Sequence, residues 1–109
     1  MFFPMLDIEN RTPLHFASED ARVGAVRVLL EHGADANARD AHNMTPTHLA
    51  SSQNYGEEER LDVVRLLLQY GSDIHALDNE GHTPFMRATE KGHRRIMQFL
   101  LENGAEDHR

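Results

Sequence analysis

Apolar residues recur three and four positions apart in three stretches: Val23, Val26, Leu29 and Leu30; Leu61, Val64, Leu67 and Leu68; and Ile96, Met97, Leu100 and Leu101. That spacing gathers each set on one face of a helix. A Thr-Pro pair stands ahead of each stretch, at Thr12-Pro13, Thr45-Pro46 and Thr83-Pro84. A Thr hydroxyl accepts a backbone N–H as an N-cap, and Pro at the first helical position sacrifices no hydrogen bond. The pairs therefore predict short first helices from Pro13 to about Ser18, Pro46 to about Ser52 and Pro84 to about Glu90. Gly33, Gly71 and Gly104 follow the apolar stretches, where a left-handed residue ends a helix. The segments Ala34 to Met44 and Ser72 to His82 contain the turn formers Asn43 and Gly81.

The unit is thus helix, turn, helix, extended turn, and it occurs three times. Successive Thr-Pro pairs are 33 and 38 residues apart, and successive glycines 38 and 33. Both long intervals span Thr45 to Gly71, which confines a five-residue insertion to residues 51–60. The expected organisation is one domain over residues 1–109, with repeats at about 7–39, 40–77 and 78–109.

The strings TPLHFA (12–17) and TPTHLA (45–50), and more loosely TPFMRA (83–88), resemble the T-P-L-H-x-A signature of the ankyrin-repeat family. GADANARD (33–40) and GSDIHALD (71–78) are similar to its hairpin segment, and GHRRIMQFLLENGA (92–105) to its second helix. The resemblance implies an all-α repeat solenoid: an ankyrin-like stack of three helix-turn-helix repeats linked by β-hairpin-type loops. Thr47 departs from the signature's Leu, Met86 from its His, and His75 stands where the previous hairpin has Asn37. The last repeat has no following hairpin to meet a His at position 86.

Eight histidines raise the question of a metal. His15 and His48 occupy the same place in two first helices, and the resemblance implies that each bonds its Thr and the neighbouring hairpin. His32 and His93 are read as surface residues of the pattern. His42, His75 and His82 lie on or near hairpins. With no Cys, no HExxH string and no close His pair, no dedicated metal site is expected. Asn37 and Asp40 are expected to fix their turn through side-chain to backbone bonds. In some relatives the hairpin Asn is hydroxylated, which makes Asn37 a candidate for modification.

Charge narrows the function classes. Eleven basic residues face eighteen acidic ones, a net charge of −7 and a pI near 5.5. This disfavours a nucleic-acid partner, since phosphate contacts need a cationic face. No apolar run approaches the roughly 20 residues of a membrane span. Without a disulfide framework or a signal-like start, the expected location is intracellular, cytoplasmic or nuclear. The middle repeat carries −4 of the charge, much of it from Glu57, Glu58 and Glu59. The insertion reads as a solvated linker whose carboxylates favour the start of the second helix. The competing reading makes it a docking element for a basic partner, with Tyr55 as aromatic anchor.

No nucleophile elbow, P-loop or dinucleotide turn is present, so neither enzyme activity nor a cofactor nor a small-molecule substrate is expected. A repeat stack presents an extended concave surface. By resemblance that surface is built from hairpin tips and first helices, which fits a protein partner. The tip residues are then Ala41, His42, Met44, Asn79, Glu80 and His82, preceded by Arg39 and Leu77. Ser52, Gln53, Glu90 and Lys91 line the first-helix ends. Two alternatives stand beside this: a spacer or piece of a longer array, and a substrate-recruiting domain of a larger enzyme assembly. A monomer is expected, although apolar Met1, Phe2, Phe3 and Met5 and the last helix leave self-association through uncapped ends open. Those N-terminal residues either fold back onto the first repeat or mark a missing one. Purified, untagged protein should carry no stoichiometric zinc by elemental analysis; a one-to-one signal would reverse the reading of the histidines.

Overall fold

The computed structural model describes residues 9–106; the apolar residues Met1, Phe2, Phe3 and Met5 lie outside the described residues. Six helices follow in order: α1 (Pro13–Glu19), α2 (Val23–Glu31), α3 (Pro46–Ser51), α4 (Glu57–Gln69), α5 (Pro84–Lys91) and α6 (Arg94–Glu102). Helices α1, α3 and α5 form one row and α2, α4 and α6 a second, each touching its own partner and the helices next along its row. The body measures 52 × 28 × 24 Å, the elongation expected of units that touch only their neighbours.

All three Thr-Pro pairs behave as expected. Thr12, Thr45 and Thr83 are N-caps in extended conformation, and each hydroxyl accepts the backbone N–H three residues on. Gly71 has φ +92°, and Ser72 N–H reaches back to Leu67 O at 3.0 Å, closing α4 by the six-residue bond that a left-handed residue permits. Among the described residues no strand forms. Each tip is instead a tight turn organised by one buried aspartate. Asp40 Oδ1 accepts the N–H groups of His42 and Met44, both at 2.9 Å, while Asp40 N–H donates to Met44 O at 3.1 Å. Asp78 does the same for Glu80, at 2.9 Å, and His82, at 3.0 Å. Asn37 differs from expectation. Its own turn is fixed by Asp35 Oδ1, and its side chain reaches the next repeat, donating to Gly71 O at 2.9 Å and accepting from Asp73 N–H at 2.6 Å.

Burial follows position in the stack. Helix α4 is covered from both sides, so Leu61, Val63, Val64, Leu66 and Leu67 are all buried; Val63 and Leu66 add to the periodic face of Leu61, Val64, Leu67 and Leu68, of which Leu68 is only partly covered. The outer helices bury less: Val26 and Leu30 of α2, Ile96 and Leu100 of α6. Val23, Leu29, Met97 and Leu101 are only partly covered.

Two histidines join the repeats from the first-helix row. His48 is wholly buried. Its Nδ1 accepts Thr45 N–H at 3.1 Å, and Nε2 donates to His82 O at 2.8 Å. His15 repeats this with Thr12 and Met44 O, the latter at 2.9 Å. One ring thus ties a helix cap to the next tip. Both nitrogens are used only by the neutral ring with its proton on Nε2. Burial lowers the pKa of His48 against the opposing pull of the His82 carbonyl and Asp78.

His93 is not the surface residue that its place in the pattern suggested. It is buried, and its Nε2 hydrogen-bonds to Gln53 O in the insertion. The insertion is accordingly no loose linker. Glu57 accepts Arg95 N–H at 2.8 Å, supplying the N-cap that α6 lacks from its own sequence, and Glu58 pairs with Arg95 at 2.6 Å. Arg60, fully buried, holds the loop from inside through Tyr55 O and Ala50 O. Its guanidinium lies 4.7 Å from the Tyr55 ring centre. The carboxylates expected at the start of α4 are there, and they also serve α6, because the extra residues bring that turn across to the third repeat.

Three outcomes follow. His48→Ala should cost about 2–4 kcal/mol in denaturant unfolding, from the cavity plus the unpaired Thr45 N–H and His82 carbonyl. Because the folded-state pKa of His48 lies below the ordinary 6.5, the stability it contributes is full above 6.5 and falls as acid charges the unfolded chain first. Part of the fall in Tm between about pH 7 and 5 should therefore vanish in His48→Gln; an unchanged slope would exclude this histidine as its source. Separately, Glu57→Ala should lower the unfolding free energy from urea titration by about 1 kcal/mol, the usual size of a lost N-cap, and Tyr55→Phe should not.

Candidate binding face at the tips

Successive tips are bonded edge to edge. Ala41 N–H donates to Glu9 O at 2.7 Å, and Asn79 N–H to His42 O at 3.0 Å. The Asn79 side chain adds a bond to Ala41 O at 3.3 Å. Arg39 crosses the same step, donating to Asn43 O at 3.1 Å and Leu77 O at 2.7 Å. These bonds occupy the backbone of the tips and leave the side chains of Ala41, His42 and Glu80 exposed.

Between the two tips lies a groove of about 180 Å³ lined by His42, Met44, Asp78, Asn79, Glu80 and Arg87. Four of the residues expected at the tips, His42, Met44, Asn79 and Glu80, are therefore brought together. Arg87 and Asp78 complete the lining and were not among the expected residues. Arg87 did leave a signal: it occupies the helix position of Phe16 and Leu49, where the repeats otherwise carry an apolar side chain.

Arg87 organises this face. It donates two bonds to Asp78 Oδ2, at 2.9 and 2.7 Å, one to Glu80 at 2.7 Å and one to Glu90 at 3.1 Å. Burial works against its charge, yet these three carboxylates together outweigh it and raise its pKa. Burial likewise works against the Asp78 carboxylate, but bonds from His82 N–H, Arg87 and Glu80 N–H hold its pKa below the ordinary value. His82 sits at the margin, its Nδ1 3.8 Å from Glu90. A second hub lies one repeat earlier, where Arg11 meets Glu19 at 3.2 Å and Glu9 and Asp40 at 3.5 Å each. His42 stands 3.6 Å from Glu9. Two arginines thus face six carboxylates, and the face is negative.

The other expected residues fall elsewhere. Ser52, Gln53 and Tyr55 belong to the loop that clasps the third repeat, with Ser52 Oγ donating to Leu49 O at 3.3 Å and Tyr55 exposed. Lys91 is exposed at the end of α5, and Leu77, 52% exposed, lies just before its tip. Among the described residues no group of three or more His, Cys, Asp or Glu is placed to hold a metal, and no helix is long and apolar enough to cross a membrane.

A family profile described as ankyrin repeats (3 copies) matches residues 3–78 and 57–109. An ankyrin repeat protein of Pyrobaculum aerophilum is 56% identical over 41 residues, 38% of this chain and 15% of that protein. Rabankyrin-5 of Homo sapiens is 44% identical over 48 residues, 44% of this chain and 4% of that protein. The ARF GTPase-activating protein Git of Drosophila melanogaster is 43% identical over 44 residues, 40% of this chain and 6% of that protein. The matched stretch spans less than a sixth of each of these relatives. The profile covers the capped first helices and the Asp-centred tips, and the chain belongs to the ankyrin-repeat family, a non-catalytic fold that generally serves protein–protein interaction.

Proposed function

We propose that this chain is a non-enzymatic module that binds a protein partner on the concave face formed by its tips and first helices. The observation that carries the reading is the groove between the tips, where half-buried Met44 lies among His42, Asn79 and Glu80. Met adapts its shape to a partner and favours burial, and a polar margin around such a contact is the usual anatomy of an interface. The tip backbone is already bonded within the stack, so a partner meets a preorganised surface and little ordering is needed on binding. The relatives support a portable module, since one is named a GTPase-activating protein and another a potassium channel.

One observation favours the spacer or longer-array reading. A second groove, of about 330 Å³, opens at the first repeat beside Leu14, Leu29, Gly33, Ala34 and Asp35. Gly33 and Asp35 correspond to Gly71 and Asp73, which receive the Asn37 side chain of the repeat before them. A further repeat stacked there would meet the same acceptor and donor.

The test is affinity capture with the wild-type chain beside Met44→Arg combined with Glu80→Arg, both first shown to be monomeric and equally helical. A partner held by the wild type and lost with the variant is the expected result. If both retain the same proteins, or neither retains any, the concave face is not the binding surface and the array reading takes its place.

A further inference from the structure

Arginines account for ten of the eleven basic residues, and most of those described are matched with carboxylates or carbonyls. Arg11 and Arg87 each meet three carboxylates, and Arg22 and Arg95 are ion-paired. Arg39 and Arg60 donate to carbonyls. The side chains of Arg27, Arg65 and Arg94 form neither an ion pair nor a hydrogen bond among the described residues, in a chain with eighteen acidic residues. All three are exposed, and all three stand on second helices, on the side of the stack away from the tips.

Their placement forms a stripe. Arg27 and Arg65 line a groove of about 330 Å³ between α2 and α4. Arg65 also lines, with Arg94, Arg95, Gln98 and Phe99, a groove of about 410 Å³ between α4 and α6. The Arg65 guanidinium lies 5.4 Å from the centre of the Phe99 ring, which holds it over the groove. Glu102 in that groove is engaged by Gln98 at 3.1 Å, and Asp62 in the other pairs with neither arginine. Within the two grooves guanidinium outnumbers carboxylate, with Arg27, Arg65, Arg94 and Arg95 against Asp62 and Glu102.

We infer that the outer face of α2, α4 and α6 is a second docking surface, and that it takes an extended, carboxylate-rich segment of a partner protein. The guanidinium fork matches carboxylate geometry, and a stripe with an excess of cations steers an oppositely charged chain. A stripe shared between two grooves fits a run of acidic side chains better than one isolated anion. The net charge of −7 works against a polyanion the size of a nucleic acid.

The experiment titrates labelled octaglutamate into the full chain at low and moderate salt, with a single-stranded DNA oligonucleotide and inorganic phosphate as separate probes. Arg65→Glu combined with Arg94→Glu should weaken octaglutamate binding by about tenfold or more, whereas Arg22→Glu, outside both grooves, should leave it unchanged. Affinity in the wild type should fall as salt rises. The inference is overturned if the wild type does not bind octaglutamate at low salt, if the double variant binds equally well, or if DNA or phosphate binds more tightly through the same arginines. Should the double variant lose its helical signal, Arg27→Ser decides instead, and unchanged affinity there also overturns it.

Discussion

The stack depends on one repeated tie: a neutral imidazole that accepts from the cap of its own helix and donates to the tip that follows. In His48 both ring nitrogens are committed in this way inside a fully buried site. A buried polar group stabilises only when all its partners are present. That condition, together with the apolar packing, fixes the distance and rotation between neighbouring repeats. The ring must also stay neutral, because a proton on Nδ1 would point at the Thr45 N–H. Burial and hydrogen bonding therefore select the same protonation state.

The tips inherit their order from these ties. Once the His82 carbonyl is held by His48, the Asp78 carboxylate can gather the N–H groups of Glu80 and His82, and the turn needs no strand to support it. Rungs such as Asn79 to His42 then set one tip against the next. The result is a rigid base with free side chains, the arrangement that lets a loop surface bind without first paying to order itself. Met86, in the position of His15 and His48, makes no such tie. Its helix keeps only the Thr83 cap, at 3.2 Å from the Met86 N–H.

Much of this was legible beforehand because repetition multiplies weak signals. Thr12-Pro13 alone would be an ordinary helix start; three such pairs in register define the unit. The tips were legible for the same reason, and four residues expected there do share one groove. The insertion was misjudged, since polar sequence such as Gln53 to Glu59 looks solvated whether or not it folds back. His93 was missed because a lone histidine before a helix has no periodic signature of burial. Arg87 was legible in principle, as a charge in an apolar column, but its three carboxylates come from both the tip and the helix and meet only in space.

The sequence by itself determined the elements, the Thr caps of the first helices, their order and their number, because these depend on residues within a few positions of one another. Tertiary structure alone decided which charges cancel. Glu57 and Glu58 sit 38 and 37 residues from Arg95 and meet it across the repeat boundary, while among the described residues Arg27, Arg65 and Arg94 pair with no carboxylate. Pairing depends on distance through space, and composition records only the sum. A net charge of −7 is therefore compatible with an arginine stripe along one face.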